Sequence, residues 1–306
     1  MSEAGKGILA LIACNLMWGA APIFFKEISH IPATEVLAHR AIWSFVLFAG
    51  LLAFQGRLTT VRDAFSTPRR VGILTFCMVM VSANWFLFIY ATALSRNTDT
   101  SLGYYILPLA IVALGRLLYG ERLDRLQSLA VGLAALAVVL LAIGLGALPW
   151  ISLVLATTFA LYSAIKKTLP LGPVVSVTAE VILFLPVAIV ILWQVYAVGP
   201  GAFGQNLHDS AFLILSGVQT ALPLILFSYA ARRVRMTTVG LVQYLNPTGQ
   251  FLCAVLIYGE ALTLWHGLAF PLIWAALALY TASALAQDRA ARRAARAAAT
   301  SGTTVR

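Results

Sequence analysis

Charge is what this sequence has least of. Lys, Arg, Asp and Glu together make up 10% of its 306 residues, where a soluble domain carries about 25%. With 61% hydrophobic residues and a mean hydropathy of +0.90, a water-soluble globule is excluded. Cysteine is scarce too. Cys14, Cys77 and Cys253 each fall inside an apolar run at no metal-binding or redox spacing, and they read as inert packing residues. Period-two alternation is missing, which argues against a membrane β-barrel. Also missing are HExxH, GxSxG, a metal-binding pair of aspartates and a Walker A sequence, so no site for hydrolytic chemistry or ATP coupling is visible. Neither a metal nor a cofactor is expected.

Apolar runs of about 20 residues are abundant, each long enough at ~1.5 Å per residue to cross a hydrocarbon core of about 30 Å. Ten are expected, at about 7 to 26, 35 to 55, 71 to 93, 101 to 119, 126 to 144, 149 to 165, 174 to 197, 211 to 231, 238 to 258 and 264 to 285. The expected fold class is therefore all-α integral membrane, with ten transmembrane helices. Leu11-Ile12-Ala13-Cys14 resembles the end of a lipoprotein signal. The apolar run continues to Phe25, however, and only Lys6 precedes it, so the first helix reads as uncleaved.

The formal net charge of +10 could suggest a nucleic-acid partner, but its distribution gives it another use. Arg57, Arg62, Arg69 and Arg70 occupy the second connection, Arg122 and Arg125 the fourth, and Lys166 and Lys167 the sixth. Arg232, Arg233 and Arg235 occupy the eighth, and the segment 287–306 carries five more arginines. The connections of opposite parity hold only Arg96. By the positive-inside rule both termini of this multi-pass chain are expected in the cytoplasm. The basicity then orients the chain, and no nucleic acid is needed. The arginines of the basic tail 287–306 share a helical face suited to anionic lipid or to solvent.

An internal repeat is visible. Tyr105-Ile106-Leu107-Pro108 leads to Leu118-Tyr119-Gly120-Glu121, and Tyr244-Leu245-Asn246-Pro247 leads to Ile257-Tyr258-Gly259-Glu260 with the same Pro-to-Tyr spacing. The first copy lies on a span running outward to inward and the second on one running inward to outward, as two five-helix halves of inverted topology require. Glu35-Val36-Leu37 against Glu180-Val181-Ile182 is a weaker echo. The expected halves are residues 1–146 and 147–286. Gly120 and Gly259 follow long helices, where a left-handed C-terminal cap needs glycine.

Met17-Trp18-Gly19-Ala20-Ala21-Pro22, the segment from Ile31 to Phe45, Asn84-Trp85, Leu102-Gly103-Tyr104-Tyr105 and both Tyr-Gly-Glu motifs resemble the RarD-type permeases, EamA-like members of the drug/metabolite transporter superfamily. The resemblance runs to about Ala286. It implies a ten-helix inner-membrane carrier of a kind labelled as chloramphenicol-sensitivity proteins, and export as the direction. Where that family tends to have Asn-Pro in the fourth helix, this chain has Leu107-Pro108. Any polar role of that Asn is absent here or falls to Asn246.

Ionisable groups inside a membrane are costly and suggest function by default. Glu35 and His39 are four apart on one helical face, with Arg40 beside them; they could gate the outer mouth of the second helix, or cap and anchor its end. Glu180 lies well inside the seventh span with no Lys or Arg following on that helix, a candidate for proton coupling or for holding a substrate amine. Gln243, Asn246 and Gln250 form one stripe on the ninth helix beside Tyr244, Pro247 and Gly249, and Asn15, Trp18 and Pro22 do the same on the first. These stripes could be interhelical glue or, the favoured reading, the lining of a cavity. Asn84 with Trp85 and Tyr104 with Tyr105 add amphipathic aromatics suited to an apolar or zwitterionic molecule. The function expected is a secondary transporter of a small organic metabolite or drug working by alternating access, as monomer or homodimer in the lipid bilayer. A membrane enzyme or a non-transporting scaffold is the rival.

Overall fold

The computed structural model describes residues 3–119, 124–144, 149–167, 169–231, 233, 242–276, 278–279, 282–283 and 286. Among these every regular element is helical. They are α1 (Glu3–Gly19), α2 (Ala21–Glu27), α3 (Ala33–Phe54), α4 (Thr59–Ala64), α5 (Pro68–Ala93), α6 (Asn97–Tyr119), α7 (Arg125–Gly144), α8 (Trp150–Lys167), α9 (Pro173–Val198), α10 (Leu207–Ala231) and α11 (Leu245–Leu252). A π-helical stretch, Cys253–Ile257, continues α11, and α12 (Leu264–Ala276) follows. The boundaries follow from local chemistry. Pro68 and Pro173 sit in first turns, where a missing N–H costs nothing. Thr67 caps α5 by accepting a bond from the Arg70 N–H at 3.3 Å, and Gly56 at φ 63° ends the turn after α3.

Among the described residues six stretches are long and apolar enough to cross a membrane: Gly5–Glu27, Ala33–Phe54, Pro68–Ala93, Arg125–Gly144, Val174–Val198 and Leu207–Phe227. Trp150–Tyr162, Leu245–Ile257 and Leu264–Ala276 are shorter apolar helices, and α6 is a helix of 23 residues. α1 with α2 covers the first expected run, and α4 lies in the connection after α3. The surface is apolar as lipid requires: Phe54 is 91% exposed, Trp193 71% and Leu256 74%.

The first span is broken. Pro22 has no N–H to give the Trp18 carbonyl, and the chain turns at Ala20 between α1 and α2. Neighbours take up carbonyls beside the break. Gln219 Nε2 donates to Met17 O at 2.8 Å, and Cys253 Sγ lies 3.6 Å from Gly19 O. Irregular backbone at membrane depth is tolerated on this condition.

α3 packs on α5, α9 and α10; α1 on α10 and α11; α6 on α8 and α11; α5 on α8 and α9. The largest core gathers Phe25 of α2 with Val36, Phe48, Phe88, Leu155, Val181 and Leu213 from these helices. Gly19 and Gly249 bring α1 and α11 into backbone contact. A methyl group at Gly19 would lie 3.2 Å from Gly249 Cα. α7 and α12 lie at the periphery, sharing a small cluster of Ala130, Ala134 and Ala276.

Candidate functional site

Where α2, α3, α5 and α6 meet, Arg40 is buried at 6% exposure. Its guanidinium lies over the Trp85 ring at 4.6 Å and the Phe25 ring at 5.2 Å. Beside it Tyr104 donates its hydroxyl to Asn84 Oδ1 at 3.1 Å, and Asn84 Nδ2 in turn donates to Leu155 O at 2.8 Å and Thr158 Oγ1 at 3.1 Å. Four of the sequence candidates, Arg40, Asn84, Trp85 and Tyr104, therefore form one locus. Trp85 also lines a void of about 10 Å³ with Met78, Ser82, Val177, Glu180 and Phe184. Glu180 accepts from Tyr162 Oη and Ser176 Oγ, both at 3.1 Å.

The other two members of the Glu35, His39 and Arg40 group face elsewhere. Glu35 Oε1 accepts the Ala202 N–H at 2.7 Å, and the His39 ring stacks on Phe203 at 5.1 Å. Both fasten the connection between α9 and α10 at the end of the bundle where α3 begins. One residue is about 100° of helical turn, so neighbours in sequence serve different places. Tyr105 likewise points away from Tyr104: its hydroxyl meets Thr248 Oγ1 at 2.8 Å and its ring packs edge-on against Phe270.

The helical stripes are polar contacts between and along helices. Gln250 Nε2 donates to Asn246 Oδ1 at 2.9 Å, and Ser101 Oγ donates to Pro247 O across the α6–α11 interface at 2.9 Å. Asn15 Nδ2 donates to Leu11 O in its own helix, and Trp18 meets Phe227 of α10 with ring centroids 6.0 Å apart. Gln243 and Tyr244 are half-buried, and Tyr244 packs with the cluster around Tyr105 and Phe270. Among the described residues three buried amide oxygens, Asn15 Oδ1 and Gln250 Oε1 of these stripes and Asn97 Oδ1 of α6, accept no hydrogen bond.

A second cavity, of about 380 Å³, opens at the end of the bundle where α2 finishes and α6 starts. Arg96, Thr98, Asp99, Tyr258, Glu260 and His266 line it with Ser95 and Ala261. Arg96 pairs with Asp99 at 2.7 Å, and Lys26 reaches Ser95 Oγ at 2.5 Å. The sequence offered two signals for this cavity, the lone basic residue of the outer connections and the second Tyr-Gly-Glu motif. Gly259 takes the left-handed conformation expected, φ 59°. Glu260 then reaches across to cap α6: Oε1 accepts from Asn97 N at 2.8 Å and Asn97 Nδ2 at 2.7 Å, and Oε2 accepts from Thr98 N at 2.8 Å. Gly120 and Glu121 of the first Tyr-Gly-Glu motif and the basic tail fall outside the described residues.

Residues 5–143 match the EamA-like transporter family. An uncharacterized transporter of Vibrio cholerae is 39% identical over 95% of this chain and 97% of its own. Protein RarD of Escherichia coli is 36% identical over 94% and 97%, and a chloramphenicol-sensitive protein RarD of Pseudomonas aeruginosa 30% over 91% and 94%. A solved structure, described only as the crystal structure of a protein, shares the fold with TM-score 0.61 and 16% identity over 92% of this chain and 99% of that one. Full-length similarity of this degree, together with the polar locus inside an apolar helical bundle, means that the chain belongs to the EamA-like transporters, among their RarD-type members.

Proposed function

We propose that this membrane protein is a secondary transporter that moves a small organic metabolite or drug across the bacterial inner membrane, in the direction of export, by alternating access. The observation that carries the reading is the relationship, over nearly the whole chain, to proteins named as transporters. Helix packing supports the mechanism. If each half-one helix is exchanged for its half-two counterpart, the contact of α3 with α10 becomes that of α9 with α5. Likewise α1 with α10 becomes α8 with α5, and α6 with α8 becomes α11 with α1, while α3–α9 and α6–α11 map onto themselves. A bundle with that symmetry suits two inverted five-helix halves, 1–146 and 147–286, which rock about a shared seam. The solute binds in that seam at Asn84, Trp85, Tyr104 and Arg40, beside the break in the first span. The cavity at Arg96 and Glu260 is its outer vestibule, and Glu180 is the proton-coupling group.

Counterflow in proteoliposomes loaded with amino acids, small metabolites and chloramphenicol, with and without an imposed pH gradient, tests this. Solute-specific exchange is expected, with a gradient-dependent rate that Glu180→Gln removes. No exchange for any compound would favour a scaffold, and an unchanged pH dependence in Glu180→Gln would end the coupling role.

A further inference from the structure

Arg40 is a cation deep in an apolar bundle with no anion to answer it. It forms no hydrogen bond and no ion pair among the described residues; its Nε is buried without a partner, and its guanidinium lies against the faces of Trp85 and Phe25 with Tyr104 close by. Desolvating an ionised group is costly unless the charge is paired and hydrogen-bonded, and two aromatic faces offset only part of that. Glu35, five residues earlier on α3, is committed to the Ala202 N–H instead. Nor is Arg40 an architectural residue repeated in both halves, since aligning Glu35 with Glu180 sets Leu185 against it.

Two aromatic rings lie against the guanidinium, Trp85 at 4.6 Å and Phe25 at 5.2 Å, while its N–H groups make no hydrogen bond among the described residues, and a guanidinium edge fits a carboxylate through two parallel bonds. We infer that Arg40, packed against Trp85 and Phe25, is the receptor for the carboxylate of the transported solute, so that the substrates are organic carboxylates with an apolar or aromatic body. The apolar body would lie along Trp85, Phe88 and Tyr104, whose rings share this core. The void beside Trp85, about 10 Å³, has room for about one water molecule. Entry of the solute therefore goes with parting of the α3, α5 and α9 helices that line it. The inference rests on the transporter reading above and names its substrate class.

The probes are 3-phenylpropionate, its amide 3-phenylpropanamide, phenethylamine and inorganic phosphate. Each is tested on the purified full-length chain for thermal stabilisation in detergent and for counterflow in proteoliposomes. In the wild type, 3-phenylpropionate should raise the melting temperature and exchange at least tenfold faster than the amide or the amine, with phosphate inert. Arg40→Met should bring the carboxylate down to the level of the amide in both readouts. Arg40→Lys, which keeps the charge but not the fork, should retain a weaker preference. Without ligand, Arg40→Met should melt at or above the wild-type temperature, because it removes an uncompensated buried charge. Equal treatment of acid and amide by the wild type, or a preference that survives in Arg40→Met, would overturn the assignment. So would a ligand-free melting temperature lowered in both variants, the mark of a packing residue. Stabilisation needs no flux, so carboxylate-selective stabilisation without any exchange would count against the carrier reading while upholding the site.

Discussion

Glu260 performs at long range what an N-cap does locally. A helix start leaves its first N–H groups without intrahelical partners, and α6 begins inside protein, with Asn97 and Thr98 buried. The carboxylate reaches both N–H groups only because Gly259 turns the chain through a left-handed conformation. Glu260→Ala should therefore destabilise the protein by about 1–2 kcal/mol, the range of a lost cap, and Glu260→Gln by less, since one amide oxygen still accepts. Gly259→Ala should cost a further ~1–2 kcal/mol through backbone strain alone. Thermal unfolding in detergent checks the order; a neutral Glu260→Ala would remove the cap from the stability of α6. The Tyr-Gly-Glu sequence was readable as a helix end, because a glycine after a long apolar run has a local meaning. Its glutamate was not, because the groups it serves lie far away in sequence. Arg40 and His39 show the same limit: adjacency placed them together, and the helical turn sent one to Trp85 and the other to Phe203.

Helices of this bundle touch where glycine lets them. A methyl group at Gly217 of α10 would lie 2.5 Å from Trp43 Cβ and 2.6 Å from the Trp43 carbonyl carbon on α3. Because one of these atoms is backbone, the two helices would have to part, so Gly217→Ala should cost about 1–3 kcal/mol, the price of overpacking. Gly132 of α7 has open space around it, and Gly132→Ala should be neutral or stabilising by up to ~1 kcal/mol. Comparing the two melting temperatures isolates close packing from helix propensity. Equal shifts would mean that the α3–α10 contact is not tight. Positions of the helices were legible from hydrophobic run length, which depends on the bilayer thickness and little else. Which runs lie against which was not, since a small-residue contact such as that of Gly19 with Gly249 has no signature separable from an ordinary helix glycine. The break at Pro22 was legible as a proline, but not the neighbours, Gln219 and Cys253, that make it tolerable.

At the scale of the molecule, the distribution of basic residues and the packing bear on sidedness together. Arg233 Nε reaches Glu3 Oε2 at 3.0 Å, so Glu3 and Arg233, just after α10, lie at one end of the bundle; Lys6 and Arg233 hold the Glu3 carboxyl below the usual carboxylate range. At the other end, Glu35 and His39 fasten the connection that contains Gln205. α3 runs for 22 residues, about 33 Å, between that fastening and Arg57. If the positive-inside rule orients the chain, Gln205 is external and Arg57 cytoplasmic. The native cysteines suit the test, for Cys14 and Cys77 are fully buried and Cys253 is 6% exposed. An impermeant maleimide added to spheroplasts should leave the parent protein unlabelled, label Gln205→Cys at once, and label Arg57→Cys only after permeabilisation. The opposite pattern would invert the orientation. Labelling of both from outside would mean that α3 does not cross, and the paired halves on which alternating access depends would fall with it.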